Sequence, residues 1–209
     1  MTDFEFSMGG TNLDQVTEDL AGHLLGLEKQ VETAINRAIR KLGAWLRTHS
    51  VREIGKQLGI KQKVIRNRYR LSQATENGHR VLKIWVGLLE IAAHEAGNVS
   101  QNKQGAKVAG RQFNSAFKKS IFWSGEQIYI RAKANLRHNH SVLSDSGKRS
   151  QQRDAELAKT GGGRFPVQVV AIDISDIGLD VLQRYESRLN SRYRELLTQE
   201  LNYVLNVET

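Results

Sequence analysis

The stretch "VREIGKQLGIKQKVIRNRYRL", residues 51–71, admits two folds. Taken alone it is a helix-turn-helix: with the turn at Gly59, Gly55 stands four positions earlier, where such a corner needs a small residue. Ile54, Leu58, Ile60 and Ile65 fall at inward positions, and the second helix presents Lys61, Gln62, Arg66 and Asn67 to phosphates or base edges. Three residues after Ile65, however, stands Arg68, where that motif buries an apolar side chain. No neighbouring short helix completes a three-helix domain. Taken with its flanks, the same stretch is a basic corner between a long helix and a strand.

On the N-terminal side, Leu24, Leu27, Val31, Ala34 or Ile35, Ala38, Leu42, Trp45 and Leu46 recur at steps of three and four, one stripe of a helix. The spacing predicts a helix from near Asn12 or Asp14 to about His49, with Gly43 as its candidate break. On the C-terminal side, "RYRLSQAT" and "HRVLKIWVG" are both strand-compatible, and Glu76, Asn77 and Gly78 stand between them. Asn-Gly tolerates the positive φ of a type I′ turn, so a hairpin is predicted.

Further along, "GNVSQNKQGAKVAGRQ" (97–112) reads as a loop or irregular hairpin. "SIFWSGEQIYIRAK" reads as strands Ser120–Trp123 and Gln127–Ala132 turning at Ser124-Gly125. Residues 135–163 are polar, end in three glycines, and read as a mobile insertion. "RFPVQVVAIDI" resumes as one strand with Pro166 near its start. Leu182, Tyr185, Leu189, Tyr193, Leu196, Leu197, Leu201 and Val204 then mark a second long helix starting near Asp176 or Asp180. The implied class is α+β: long N-terminal and C-terminal helices packed on a small, mainly antiparallel sheet, in a single domain over 1–209.

Composition narrows the function. Thirty-one Lys plus Arg against 22 Asp plus Glu give a net charge of +9, which suits polyanions or acidic protein neighbours. The charge is polarised: residues 1–27 hold five acids and no Lys or Arg, while Arg52 to Lys83 is strongly basic. Such a chain is suited to self-assembly as well as to nucleic acid. With no cysteine, thiolate nucleophiles and Cys-based zinc sites are excluded. No apolar run approaches ~18 residues, so no membrane span is expected. His138 and His140 have His-x-His spacing but no third ligand, and Gly161–Gly163 lack the Lys-Ser/Thr of a phosphate loop. Without a nucleophile elbow or paired carboxylates, no enzyme, cofactor or metal is expected.

Five segments resemble the prophage minor tail protein Z family, the tail completion proteins of long-tailed phages. They are "LEKQVETAINRAIRKLGAWLRT", "LGIKQKVIRNRYRLSQAT", "HRVLKIWVGLLEIAAHEAG", "QFNSAFKKSIFWSGEQIYIRAK" and "GGGRFPVQVVAIDISDI" with the helix that follows. The resemblance implies a structural virion protein that acts in tail assembly and head–tail joining at the head-proximal end of the tail. It implies tail or neck proteins and copies of itself as partners, and host cytoplasm during assembly as its location. It carries no catalytic residue. Under it, Lys61, Lys63, Arg66, Arg68 and Arg70 face DNA backbone or acidic subunits without reading sequence. The competing expectation is a helix-turn-helix DNA-binding protein, and a third is a connector adaptor whose basic face meets only protein.

Overall fold

A computed structural model of the protein describes residues 3–8, 28–76, 79–120, 125–143 and 167–206. The fold is α+β, with long helices α1 (Glu28–Leu58) and α5 (Ser175–Asn206) and small antiparallel sheets. The chain forms two compact units. A helical unit takes Thr2–Glu53, Arg66–Gly87 and Gly178–Thr209, and a strand-rich unit takes Ile54–Ile65 and Leu88–Ile177.

In the helical unit, β2 (Tyr69–Glu76) and β3 (His79–Gly87) form the hairpin expected from sequence. Glu76 pairs with His79, which leaves a two-residue loop, as a tight hairpin requires; residues 77 and 78 lie outside the described residues. The sequence reading missed β1 (Asp3–Met8), which pairs antiparallel with the other side of β3 and makes the order β1-β3-β2. Its signal was available in the period-two placing of Phe4, Phe6 and Met8.

The two long helices run antiparallel. Arg184 Nη1 meets Glu53 Oε1 at 2.6 Å near the end of this stretch of α1, and Arg37 lies 5.8 Å over the Tyr203 ring near its start. Between them, Trp45 meets Tyr185 edge-on at 5.6 Å, and Lys41 pairs with the buried Glu200 carboxylate. Leu42, Leu46, Leu189, Tyr193 and Leu197 supply the buried stripe, each worth roughly 1.5–3 kcal/mol on removal from water. Tyr69 Oη donates to Ser50 Oγ at 2.7 Å, and Ser50 Oγ donates to Leu46 O at 2.6 Å, so a strand is tied to α1 by a satisfied polar chain. Burial pushes the Tyr69 phenol up to about 12.

Two expectations for α1 are corrected. The helix does not break at Gly43, because that glycine serves close approach: a Cβ there would lie 2.7 Å from Leu71 Cδ2 and 3.3 Å from Leu82 Cδ1. Nor does it stop at His49, since Val51, Ile54 and Leu58 prolong the buried stripe to its end. Residues 12–27 of the expected helix lie outside the described residues.

Helix α1 ends where glycine permits it. Gly59 takes φ +65°, and Ile60 N donates to Gly55 O at 3.1 Å, the six-to-one bond of a Schellman cap. Arg111 Nη1 donates to Leu58 O at 2.7 Å, placing a cation on the last carbonyls. Beyond the turn, α2 (Gln62–Arg66) has 5 residues. The corner is therefore real and the helix-turn-helix is not: the first helix is 31 residues long, and α2 gives way to β2 before a recognition helix could form.

The strand-rich unit holds β4 (Ile91–Ala92), α3 (Ala93–Ala96), β5 (Ser100–Asn102), β6 (Gly105–Val108), β7 (Arg111–Asn114), β8 (Ala116–Ser120), β9 (Glu126–Arg131), α4 (Ala132–His138), β10 (Val167–Val169) and β11 (Ala171–Ile172). The stretch 97–112 contributes to a three-stranded meander, β5-β6-β7, where a loop or irregular hairpin was expected. Of the strand expected at Ser120–Trp123, only Ser120 is described, as the last residue of β8 (Ala116–Ser120), and residues 121–124 lie outside the described residues. The single strand expected after Pro166 divides at Val170: β10 pairs with β9, β11 pairs with β4, and Val170 bridges to Val142. Of the expected insertion, residues 135–143 close α4 and the Val142 bridge, while residues 144–163 lie outside the described residues.

Candidate functional site

The five basic residues singled out in the sequence are divided between the units. Lys61 and Lys63 belong to the strand-rich unit, and Arg66, Arg68 and Arg70 to the helical unit. In the first, Lys61 N donates to Ala96 O and Val64 N to Lys61 O at 3.0–3.1 Å, which fixes the backbone while both lysine side chains stay exposed. Ile65 is buried and supplies the apolar anchor of α2. Gln62, like the two lysines, is exposed.

In the second unit, Arg66 and Arg70 are exposed and Arg68 is half-buried. Gly87 N donates to Arg68 O at 3.1 Å, so Arg68 already belongs to the sheet ladder. Arg70 lies opposite Trp85 in the register, and its guanidinium sits 5.5 Å over that ring. A cation–π contact of this kind holds the side chain flat without neutralising its charge. These groups can form charge-assisted bonds to phosphates or carboxylates.

Sequence reasoning missed Arg40 and Arg47, which flank Ala44 on α1 in the helical unit. Neither side chain has a carboxylate partner among the described residues, whereas their neighbour Lys41 is paired with Glu200. Their spacing of seven puts them on one face of α1, but only the neighbouring β2 sets that face apart from any other charged face of a helix.

The His-x-His pair behaves as a clamp. His138 Nε2 lies 3.1 Å from Ser115 Oγ, His140 Nε2 donates to Asn114 O at 3.3 Å, and the rings stack at 5.6 Å. Burial and the neighbouring His138 hold the His140 pKa below its ordinary value, against the Asn114 carbonyl, which raises it. Both imidazoles face the β7–β8 corner, where Ser115 takes φ +61°. No group of three or more potential metal-ligating His, Cys, Asp or Glu forms among the described residues. The triple glycine lies outside them, and no helix among them is long and apolar enough to cross a membrane.

The described residues thus form an α+β chain with exposed cations in both units. The sequence profile of prophage minor tail protein Z matches residues 17–209, and the chain belongs to that family. It is a structural protein of the phage tail. No curated protein and no solved structure matches it.

Proposed function

We propose that the protein completes the tail: it adds late in assembly at the head-proximal end, joins tail to head, and contacts other tail or neck proteins and copies of itself. Assembly takes place in the host cytoplasm. Family membership across residues 17–209 supports the reading most strongly. Exposed Lys61, Lys63, Arg66 and Arg70, with Arg68 beside them in sequence, suit acidic subunit surfaces and the DNA backbone at the point where DNA enters the tail. In this reading DNA is held and not read.

Salt dependence of DNA binding tests the proposal. Affinity should be the same for all duplexes and fall with a log-log slope of about −0.9 per phosphate neutralised. Lys61→Ala and Arg66→Ala should each shallow that slope by about one unit on every sequence. A selection from random duplexes that converges on one short site would overturn the reading. For self-assembly, light scattering should show salt-sensitive oligomers, because residues 1–27 are acidic and residues 52–83 basic. A strict monomer at high concentration that also ignores tail proteins counts against it.

A further inference from the structure

The helical unit has a feature that the basic corner does not use: the open edge of β2. Along an antiparallel strand, residues alternate between those that exchange hydrogen bonds with the partner strand and those whose N–H and C=O point away. Gly87 N donates to Arg68 O, and residue 68 lies opposite residue 87 in the register that pairs Tyr69 with Val86. The bonded set is therefore Arg68, Arg70, Ser72, Ala74 and Glu76, which also closes the hairpin at Glu76 and His79. Leu71 and Gln73 belong to the other set and aim their backbone groups outward. Since β2 is terminal in the order β1-β3-β2, nothing among the described residues pairs with them there.

Beside this edge runs a groove of about 240 Å³. Its floor is apolar, made by Ala44, Leu71 and Leu82, and its walls carry Arg40 and Arg47. Arg40, Ala44 and Arg47 follow one another at four and three along α1 and so share a face. Two other cations of α1 are engaged, Lys41 with Glu200 and Arg37 over Tyr203, while Arg40 and Arg47, which line the groove, have no carboxylate among the described residues. An open strand edge, an apolar trough and these two guanidiniums lie within one unit.

We propose that this edge takes an extended segment of a neighbouring tail protein, alternating apolar and acidic residues, as an added strand. Its main chain bonds to Leu71 and Gln73, an apolar side chain seats over Leu71 and Leu82, and carboxylates pair with Arg40 and Arg47. Arg40 and Arg47 select an acidic partner by charge complementarity, whereas copies of this chain, in the reading above, meet through the acidic residues 1–27 and the basic residues 52–83. The identity of the partner rests on the tail-assembly reading; the chemistry of the site does not.

Fluorescence anisotropy with the full chain tests it, the probes being labelled octapeptides that alternate valine with glutamate or valine with lysine. The glutamate peptide should bind saturably, and at least ~10-fold more tightly than the lysine peptide. Gln73→Pro removes an outward N–H and no bond to β3, so it should weaken binding at least ~10-fold. Arg40→Glu with Arg47→Glu, at an exposed and a half-buried position of α1, should reverse the preference in a protein whose circular dichroism matches the parent. Equal affinity for the two peptides, or unchanged preference in the double reversal, overturns the proposal whether or not the proline variant folds. So does sedimentation showing self-association that the double reversal abolishes, since the occupant is then a second copy. If the peptide fails while the salt-dependent DNA binding of Lys61 and Arg66 persists, the edge is refuted and the tail-completion reading stands.

Discussion

Gly59→Ala probes the corner on which the placement of Lys61 and Lys63 depends. Gly59 holds φ +65°, where an alanine Cβ crowds the following carbonyl at a cost of roughly 1–2 kcal/mol. The same Cβ would come within 3.3 Å of Ala109 O, a contact tight enough to add a few tenths in an environment with little freedom to move. Against this, alanine restricts the unfolded chain and returns about 0.4–1 kcal/mol. The net loss is about 1 kcal/mol, because the left-handed penalty exceeds the entropic gain. For a chain of this size melting as one, that lowers Tm by about 2–4 °C. If the strand-rich unit melts alone, its smaller unfolding entropy raises the shift to about 4–8 °C. Differential scanning calorimetry separates the cases, and Gly59→Asn, which tolerates the left-handed region, should lose less. A Gly59→Ala protein as stable as the parent would refute the Schellman cap as the reason the helix ends there.

Three further outcomes follow from buried polar groups. Tyr69, raised to about 12, keeps its proton in the folded state while the unfolded phenol ionises near 10, so stability falls as pH rises through this window. Tyr69→Phe should remove roughly 2–3 kcal/mol of that alkaline loss in urea titrations at pH 9 and 12. Lys41→Ala should cost about 1–2 kcal/mol by chemical denaturation, less than a fully buried pair because Lys41 is exposed to solvent, while Lys41→Met with Glu200→Leu should recover most of it. His94 is held below its ordinary value by burial, against the Glu95 carboxylate, and its Nδ1 has no hydrogen-bond partner among the described residues. Its unfolded form therefore takes up protons first, stability drops as pH falls below 6.5, and His94→Gln should flatten that drop in thermal melts.

The sequence was most legible where one periodicity acted alone. The stripe from Val31 to Leu46, the Asn77-Gly78 hairpin and the helix through Leu189 and Tyr193 each follow a local rule, and each is present. Gly59 was legible as a turn but not as the end of α1, because the stripe was followed only to Leu46 and Val51, Ile54 and Leu58 carry it on to the cap. Gly43 was not, since a glycine inside a helix looks the same whether it kinks the helix or lets Leu71 approach. The apolar run from Val167 to Ile172 gave no hint that it changes partner at Val170, because pairing is decided by distant strands, β9 and β4. The site divides in the same way. Exposed cations of the corner were visible from composition and period, whereas Arg40 and Arg47 gain meaning only once β2 lies beside α1.

In the proposed function this tail protein works at the head-proximal end. Electron microscopy of assembled tails carrying a gold-labelled form of the chain tests it most directly. Label confined to the end that meets the head is the predicted result. Label at the distal tip, or distributed along the tube, would contradict it.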